Sequence, residues 1–77
     1  MGLGALDRIT FDDLIMGGRP CIRGMRIPVS VILKLLADGQ DKDQILADYP
    51  DLQAQDIEQC VRYAAWLSDD RVIVKAG

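Results

Sequence analysis

Residues 17–39 read GGRPCIRGMRIPVSVILKLLADG, and this stretch decides the fold because it passes from turn-forming residues straight into a helix. The Gly pair and the apolar piece around 21–23 predict a turn followed by a short extended segment. Pro28 suits a first helical turn, since its ring fixes φ near the helical value. Gly39 predicts the helix end, as a glycine C-terminal cap. Between them, four apolar residues have the i, i+3, i+4 and i+7 spacing of one helical face: Val29, Ile32, Leu33 and Leu36.

The segment before this stretch predicts a strand that pairs with residues 21–23. Residues 8–13, RITFDD, alternate in polarity and place Ile9 and Phe11 on one side. Two such segments form a β-ribbon, which is barely stable alone in water. Gly24 is expected to shape this ribbon by adopting backbone angles that are closed to other residues. Residues before the first strand, 1–7, are predicted to be a loose leader.

Two further helices are predicted after the first. Asp41 is an N-cap with Gln44 three residues on, which is the spacing of a capping box. Pro50 stops this second helix, because the residue before a proline is pushed away from helical angles. The third helix is predicted over about residues 54–68. Its core face is expected to carry Ile57, Cys60, Val61 and Ala64.

These elements predict a single domain over residues 1–77 that is mainly α. It consists of a short N-terminal β-ribbon over 8–27, a three-helix bundle over 28–68 and a C-terminal tail over 69–77. The β-branched run within 71–77 predicts either a partner-binding arm that adds to a partner's sheet edge or a segment that folds back on the ribbon.

The composition excludes several classes of function. The chain has 77 residues, 49% of them hydrophobic, which indicates a packed but marginal core and favours an oligomer or a bound partner. It has no histidine, the commonest general base and metal ligand. Its two cysteines, Cys21 and Cys60, are expected to be reduced and packed. Its apolar runs are far shorter than a membrane span. We therefore expect a cytoplasmic protein that is not an enzyme and uses no metal, cofactor or membrane.

Charge is distributed unevenly along the chain. The net charge is −3, but residues 14–37 contain four basic residues and no acid. Residues 38–70 contain nine acids against two basic residues. This asymmetry predicts an anionic partner for the arginines of the opening stretch. The alternative is a solvated rim in which these arginines hydrogen-bond turn carbonyls. The candidates are Arg19, Arg23 and Arg26.

The second and third helices have the size and order of a helix-turn-helix. A recognition helix would present Gln and Arg side chains at its exposed start, since both read base edges. Asp56 and Glu58 lie among these residues and would repel phosphates. Any phosphate contacts would then come from the arginines of the opening stretch. The candidate DNA-binding residues are Gln53, Gln55, Gln59 and Arg62.

Tyr63 and Trp66 lie off the predicted core face of the third helix. One interpretation is a dimer interface, because aromatic residues are favoured at interface centres. The alternative is that Trp66 covers the back of the ribbon.

The ordered series of residues resembles the family named domain of unknown function 433. That family has a Gly-x-Pro-x-Ile-x-Gly-Thr-Arg-Ile-Pro-Val core, a helix ending in Gly, an Ile-Leu-x-x-Tyr-Pro-x-Leu segment and a last helix with Tyr-Ala. Met25 stands where the family has Thr, and Gln53 replaces the usual Ser or Thr cap of the last helix. The likeness covers about residues 8–68. The matching residues are Gly18, Pro20, Ile22, Gly24, Arg26, Ile27, Pro28, Val29, Gly39, Ile45, Leu46, Tyr49, Pro50, Leu52, Ile57, Tyr63 and Ala64.

The resemblance implies a homeodomain-like three-helix fold. It also implies a role like that of the antitoxin of a bacterial type II pair, which neutralises a PIN-like ribonuclease toxin. A PIN-like active site is a carboxylate cluster that holds Mg²⁺, and a basic side chain could fill or displace that charge. The candidates are Arg19, Arg23, Arg26, Arg71 and Lys75.

Two hypotheses follow. The first is an antitoxin-like homodimer that masks the toxin and binds its own operator DNA through the second and third helices. The second is a small dimeric protein-interaction module that never binds DNA.

Overall fold

Over residues 6–70 the protein is mainly helical, with three helices and a short two-stranded antiparallel sheet, as the sequence predicts. The structure is a computed structural model and describes residues 6–70. The predicted arm over 71–77 therefore lies outside the described residues. In chain order the elements are β1 (Ile9–Thr10), a left-handed turn (Met16–Gly18), β2 (Cys21–Ile22), α1 (Val29–Ala37), α2 (Lys42–Asp48) and α3 (Ala54–Asp70).

The predicted ribbon forms, although its strands are only two residues long. Ile9 lies opposite Ile22, and Thr10 lies opposite Cys21. The other edge of β2 is also occupied, because the Ile22 amide donates to the Ile27 carbonyl at 3.1 Å. The Val29 amide likewise donates to the Pro20 carbonyl at 2.9 Å. These two bonds hold the start of α1 against the ribbon.

A tight turn follows β2 and requires an unusual backbone. Arg23 and Gly24 have φ values of 47° and 72°, and the Met25 amide donates to the Ile22 carbonyl at 2.8 Å. Positive φ at both central residues is the type I′ geometry that favours glycine at the second one. The expectation of a special conformation at Gly24 is confirmed. Arg23 is the unexpected member, because a side chain in the left-handed region costs about 1 kcal/mol or more.

Local signals set the helix ends. Pro28 is the N-cap of α1, one residue outside the helix, with φ −67° and ψ 145°. At the other end the Gly39 and Gln40 amides donate to the Leu36 and Leu35 carbonyls, the pair of bonds that defines a Schellman motif. Gly39 supplies the required left-handed residue, with φ 96°.

The predicted capping box at the start of α2 is confirmed. The Asp41 side chain accepts from the Gln44 amide at 2.9 Å, and the Gln44 side chain accepts from the Asp41 amide at 3.3 Å. The helix ends before Pro50, with Tyr49 as its C-cap. α3 extends two residues beyond its predicted end at 68.

The three helices and the ribbon share one core. On α1, Val29 and Ile32 are buried, which confirms the predicted face. On α3, Ile57 and Cys60 are buried, but Val61 is 48% exposed, so its placement in the core was wrong. Tyr63 is buried instead. The face of α3 that packs against the ribbon is therefore displaced by about one residue from the apolar face that the sequence predicts.

The predicted loose leader is wrong for its last two residues. Leu6 belongs to the core and is 5% exposed. The Asp7 carboxylate accepts a hydrogen bond from the Gln59 amide group at 2.9 Å. Within residues 6–70, none of the helices combines the length and hydropathy that a membrane crossing requires.

Candidate functional site

A fully buried carboxylate, Asp56, lies at the centre of the polar structure. It occupies the first turn of α3 and has no exposed surface. Its Oδ1 accepts from Arg8 Nη1 at 2.9 Å and from Arg23 Nε at 3.1 Å. Its Oδ2 accepts from Arg23 Nη2 at 2.9 Å and from the Gln53 amide at 2.8 Å. A carboxylate has about four lone-pair sites, so this one is saturated by its own chain.

The electrostatics of this group follow from two opposing effects. Burial alone would raise the pKa of Asp56, because it disfavours the charged form. The hydrogen bonds from Arg23, the Gln53 amide and Arg8 outweigh burial, so the pKa of Asp56 lies below its usual value. The same hydrogen bond to Asp56 raises the pKa of Arg23 above its usual value. The carboxylate is therefore ionised near neutral pH and holds two cations.

Asp56 also caps the helix that carries it. Gln53 precedes α3 in the position where the related family has Ser or Thr, and the sequence therefore predicts a weakened cap. In the structure the Asp56 carboxylate reaches back to the Gln53 amide, which is one half of a capping box. A negative side chain in the first turn is also stabilised by the helix dipole. The Asp56 carboxylate, in the first turn of the helix, thus compensates for the missing Ser or Thr hydroxyl at the cap.

Arg23 joins three parts of the chain. Its Nε and Nη2 bind both oxygens of Asp56, and Nη2 also donates to the Asp51 carbonyl at 2.7 Å. This side chain links the turn after β2 to the segment between α2 and α3. Arg23 was predicted to bind an anion of a partner, but its guanidinium is bound to a carboxylate of its own chain and to a turn carbonyl, as in the alternative interpretation. These bonds fix the position of the Arg23 side chain and so help to stabilise the left-handed backbone of this residue.

Arg8 belongs to the polar cluster around Asp56, although the sequence did not indicate it. Its guanidinium donates to Gln53 Oε1 at 2.8 Å and to Gln55 Oε1 at 2.5 Å, besides Asp56. Its backbone amide donates to Gln59 Oε1 at 2.9 Å. The sequence does contain one signal for such a residue. Asp56 lies on the same helical face as Cys60 and Tyr63, which indicates a buried negative charge that needs a basic side chain as its partner.

The structure brings together the four residues predicted to bind DNA, but it also gives three of them partners. The side-chain oxygens of Gln53, Gln55 and Gln59 all accept hydrogen bonds from Arg8. Arg62 is exposed. A shallow cleft of about 350 Å³ runs along this side of α3. Its lining consists of Asp7, Arg8, Gln55, Glu58, Gln59 and Arg62.

The acids that argued against DNA at this helix are both paired. Asp56 lies in the interior with two arginines, so it presents no charge to a ligand. Glu58 remains on the surface, with Lys42 Nζ 3.7 Å from its Oε2. Repulsion of phosphates at the start of α3 is therefore weaker than the sequence suggests.

The remaining arginines of the opening stretch differ from Arg23. Arg19 and Arg26 are exposed, and within residues 6–70 neither has a carboxylate within ion-pair distance. Arg71 and Lys75, the other predicted anion-binding residues, lie outside the described part of the chain. Among the described residues, the anion-binding prediction therefore rests on Arg19 and Arg26.

The aromatic residues predicted to form a dimer interface pack largely within the domain. Tyr63 is 9% exposed. Its ring centroid lies 6.1 Å from that of Trp66, in a stacked pair, and 6.2 Å from that of Phe11. Trp66 is half-buried against the core. Among the described residues, the large apolar side chains that are exposed to a partner are those of Phe11, Leu14, Val61 and Leu67.

Both cysteines are buried free thiols, which confirms their predicted state. Burial, together with the charge of Asp56, raises the pKa of Cys60 to about 12. This thiol is therefore protonated at neutral pH and unreactive. No group of three potential metal-ligating side chains occurs among residues 6–70.

Comparisons with known proteins agree with the resemblance in the sequence. The model of a family described as "Protein of unknown function (DUF433)" matches residues 9–64. A relative from Sinorhizobium fredii (strain NBRC 101917 / NGR234), "Uncharacterized protein y4eO", is 33% identical over 60 residues. These residues are 78% of this chain but only 27% of that relative. No solved structure matches the chain. Since the family model spans most of the chain and the resemblance is thereby confirmed, the chain belongs to the DUF433 family.

Proposed function

We propose that this chain is a cytoplasmic, antitoxin-like protein that binds and neutralises a PIN-like ribonuclease toxin through the exposed Arg19 and Arg26 of its N-terminal segment. The observation that carries the proposal is the contrast between the arginines of one short segment. Arg23 is neutralised inside the chain, whereas Arg19 and Arg26 are exposed without an internal carboxylate in residues 6–70. Planar guanidinium groups suit carboxylate recognition, and the active site of a PIN-like nuclease is a carboxylate cluster.

The frame around Arg26 supports this role. Arg26 directly follows the type I′ turn over residues 22–25 and lies two residues before Pro28, which forms a β-bridge with Cys21. The Arg23–Asp56 ion pair ties the same turn to α3. A charged side chain on a fixed turn loses little backbone entropy on binding, which favours affinity.

Operator binding is a second part of the proposal. α2 and α3 would act as a homeodomain-like helix-turn-helix, with Arg62 and the glutamines of α3 toward DNA. The burial of Asp56 against two arginines supports it, while the exposed Glu58 and the net charge of −3 oppose it.

The alternative function is a small dimeric protein-interaction module that binds no DNA. Exposed apolar side chains favour it, because Phe11 is 50% and Leu14 is 85% exposed. Such surface in a small domain suits a partner that covers it.

The test is co-purification with the product of the neighbouring gene, followed by a ribonuclease assay of the complex. Arg19→Ala/Arg26→Ala should release ribonuclease activity and lower affinity at least about tenfold, the effect of losing one charge-assisted hydrogen bond. Lys34→Ala is the control, since it removes an exposed positive charge from the same basic segment. Inhibition by the double variant equal to that of wild type would refute the role of the ribbon. A gel shift on the upstream region of the gene tests operator binding separately.

A further inference from the structure

The outer edge of β1 is open to a further strand. The Arg8 carbonyl accepts from the Arg23 amide at 2.8 Å, and Thr10 is the next residue that faces β2. Alternate residues of a strand face opposite edges, so the amide and carbonyl of Phe11 face away from β2. Within residues 6–70, neither of these two groups has a backbone hydrogen-bond partner. An unpaired strand edge is a ready site for another extended segment.

Exposed apolar side chains lie between the end of α3 and this edge. Phe11 is 50% exposed, and its ring centroid lies 6.2 Å from that of Tyr63 on α3. Leu67 lies one turn after Tyr63 on the same helical face and is 37% exposed. Leu14, three residues after Phe11, is 85% exposed. A segment that runs from the end of α3 to the edge of β1 would therefore cover Leu67 and then Phe11.

β1 and α3 run in the same direction. Arg8, just before β1, binds Asp56 in the first turn of α3, whereas Phe11, just after β1, lies beside Tyr63 about two turns later. α3 then continues for seven residues to Asp70, about 10 Å farther along its axis. Residues 71–77 follow, and seven extended residues span up to about 23 Å. Such a length suffices to turn back and run antiparallel to β1.

The surface at this end of the ribbon is acidic. Asp12, Asp13 and Asp69 are exposed, and within residues 6–70 none of them has a basic side chain at ion-pair distance. Asp12 accepts from the Leu14 amide at 2.9 Å, which leaves its negative charge unbalanced. Arg19 is the single basic residue among residues 11–19. An occupant with positive charge is therefore favoured here.

Residues 71–75, which lie outside the described residues, have the complementary chemistry. Their sequence is RVIVK, three β-branched residues between two basic ones and no acid. β-branched residues suit a strand. In a strand the side chains alternate between faces, so Val72 and Val74 would lie on one face and Ile73 on the other. An apolar centre with a basic residue at each end matches apolar side chains that are bordered by aspartates.

We infer that residues 71–75 of this same chain bind the outer edge of β1 as a third strand and cover Leu67 and Phe11. Arg71 and Lys75, predicted to bind an anion of a partner, then balance the acidic surface of their own chain. Of the two predictions for this segment, folding back on the ribbon thus prevails over a partner-binding arm. The added strand also closes the edge against pairing between copies of the chain.

NMR spectroscopy of the full chain tests this arrangement. Paired with the added strand, the Phe11 amide should exchange with solvent at least about tenfold more slowly than an unprotected amide. Nuclear Overhauser effects should join the Val72 or Val74 methyl groups to the ring of Phe11. Both observations should be independent of protein concentration, since the occupant belongs to the same chain, and sedimentation of the same samples gives the mass of the species.

Val72→Ser/Val74→Ser removes apolar contacts without changing charge. Exchange of the Phe11 amide should accelerate several-fold, toward the rate of an unprotected amide. Val61→Ser is the matched control, because Val61 is already 48% exposed and lies on a different face of α3 from Tyr63. This control should leave the exchange of the Phe11 amide unchanged.

Arg71→Glu/Lys75→Glu tests the charges. It places two acids beside the exposed aspartates, so the Phe11 amide should again lose its protection, and added salt should restore part of it. Lys34→Glu/Arg62→Glu is the matched control. It changes the net charge by the same amount at two exposed positions, and it should leave the exchange of the Phe11 amide as in the wild type.

Three results would overturn the inference. One is an unprotected Phe11 amide in the wild-type chain, with no contact between residues 72–74 and Phe11. Another is unchanged protection in both the serine and the glutamate double variants. The third is protection that rises with concentration together with a dimer mass, which would assign the edge to a second copy. None of these experiments uses the partner or changes Arg19 or Arg26, so the proposed function is tested separately.

Discussion

Asp56→Asn removes the buried charge at the centre of the fold with almost no change in shape. The asparagine oxygen can still accept from Arg8 Nη1 and Arg23 Nε, which are 2.9 and 3.1 Å away in the wild type. Its NH₂ group, however, would face two donors, Arg23 Nη2 and the Gln53 amide. Two of the four hydrogen bonds are lost, and two guanidinium groups lose their counter-charge.

The cost follows from how buried the partners are. Removing one member of a fully buried pair costs about 3–5 kcal/mol. Here the side chains of Arg8 and Arg23 are 23% and 35% exposed, so water replaces part of the lost interaction. We therefore expect the free energy of unfolding to fall by about 2–3 kcal/mol. In a domain of this size that corresponds to a decrease in Tm of roughly 10–20 °C.

The assay is thermal and urea unfolding followed by circular dichroism. Asp48→Asn is the matched control, because it is an exposed aspartate at the end of α2 and should change stability by less than about 0.5 kcal/mol. If Asp56→Asn unfolds at the same temperature as this control, then the buried ion pairs do not hold the ribbon on α3 and the reasoning fails.

Three further predictions concern pH, backbone and thiol chemistry. Folding lowers the pKa of Asp56, so the stability that its carboxylate contributes is present above the unfolded pKa of about 3.9 and is lost as the pH falls through the folded pKa. In acid unfolding experiments, the stability of Asp56→Asn should therefore decrease less steeply with falling pH than that of the wild type. Gly24→Val should lower the free energy of unfolding by about 1–3 kcal/mol because φ at Gly24 is 72°, although the space around it is open. Gly24→Asn should cost less, because Asn tolerates such angles. Equal melting temperatures for Gly24→Val and the wild type would contradict this prediction. Cys60 in the native chain should react with iodoacetamide at pH 8 far more slowly than in urea, since its pKa is about 12; equal rates would show that the thiol is accessible.

Much of the fold was predictable because its signals are local. The end of α1 at Gly39, the capping box of Asp41 and the stop before Pro50 each involve residues within a few positions of one another. Their backbone requirements are properties of single residue types, so they hold in any tertiary context. The positive φ at Gly24 and the pairing of two short strands around it belong to the same class.

The candidate site was predictable only in part. Gln53, Gln55, Gln59 and Arg62 were identified as residues at the exposed start of α3, and the structure does bring them to one surface. Arg8 was missed because nothing near it in sequence indicates a role. Its contact with Asp56 spans 48 residues, and that of Arg23 spans 33. The local spacing of residues does not indicate which side chains meet across so large a separation in sequence.

The sequence by itself determined the elements, their order and the apolar faces of α1 and α2, because these depend on spacing and capping. Only the tertiary structure decided the rotation of α3, which buries Asp56 and Tyr63 and exposes Val61. The physical reason is that a buried carboxylate is tolerated only where donors from distant segments converge on it. Arg8 and Arg23 supply those donors. The rotation of α3 about its own axis is therefore set by an ion-pair network as well as by hydrophobicity.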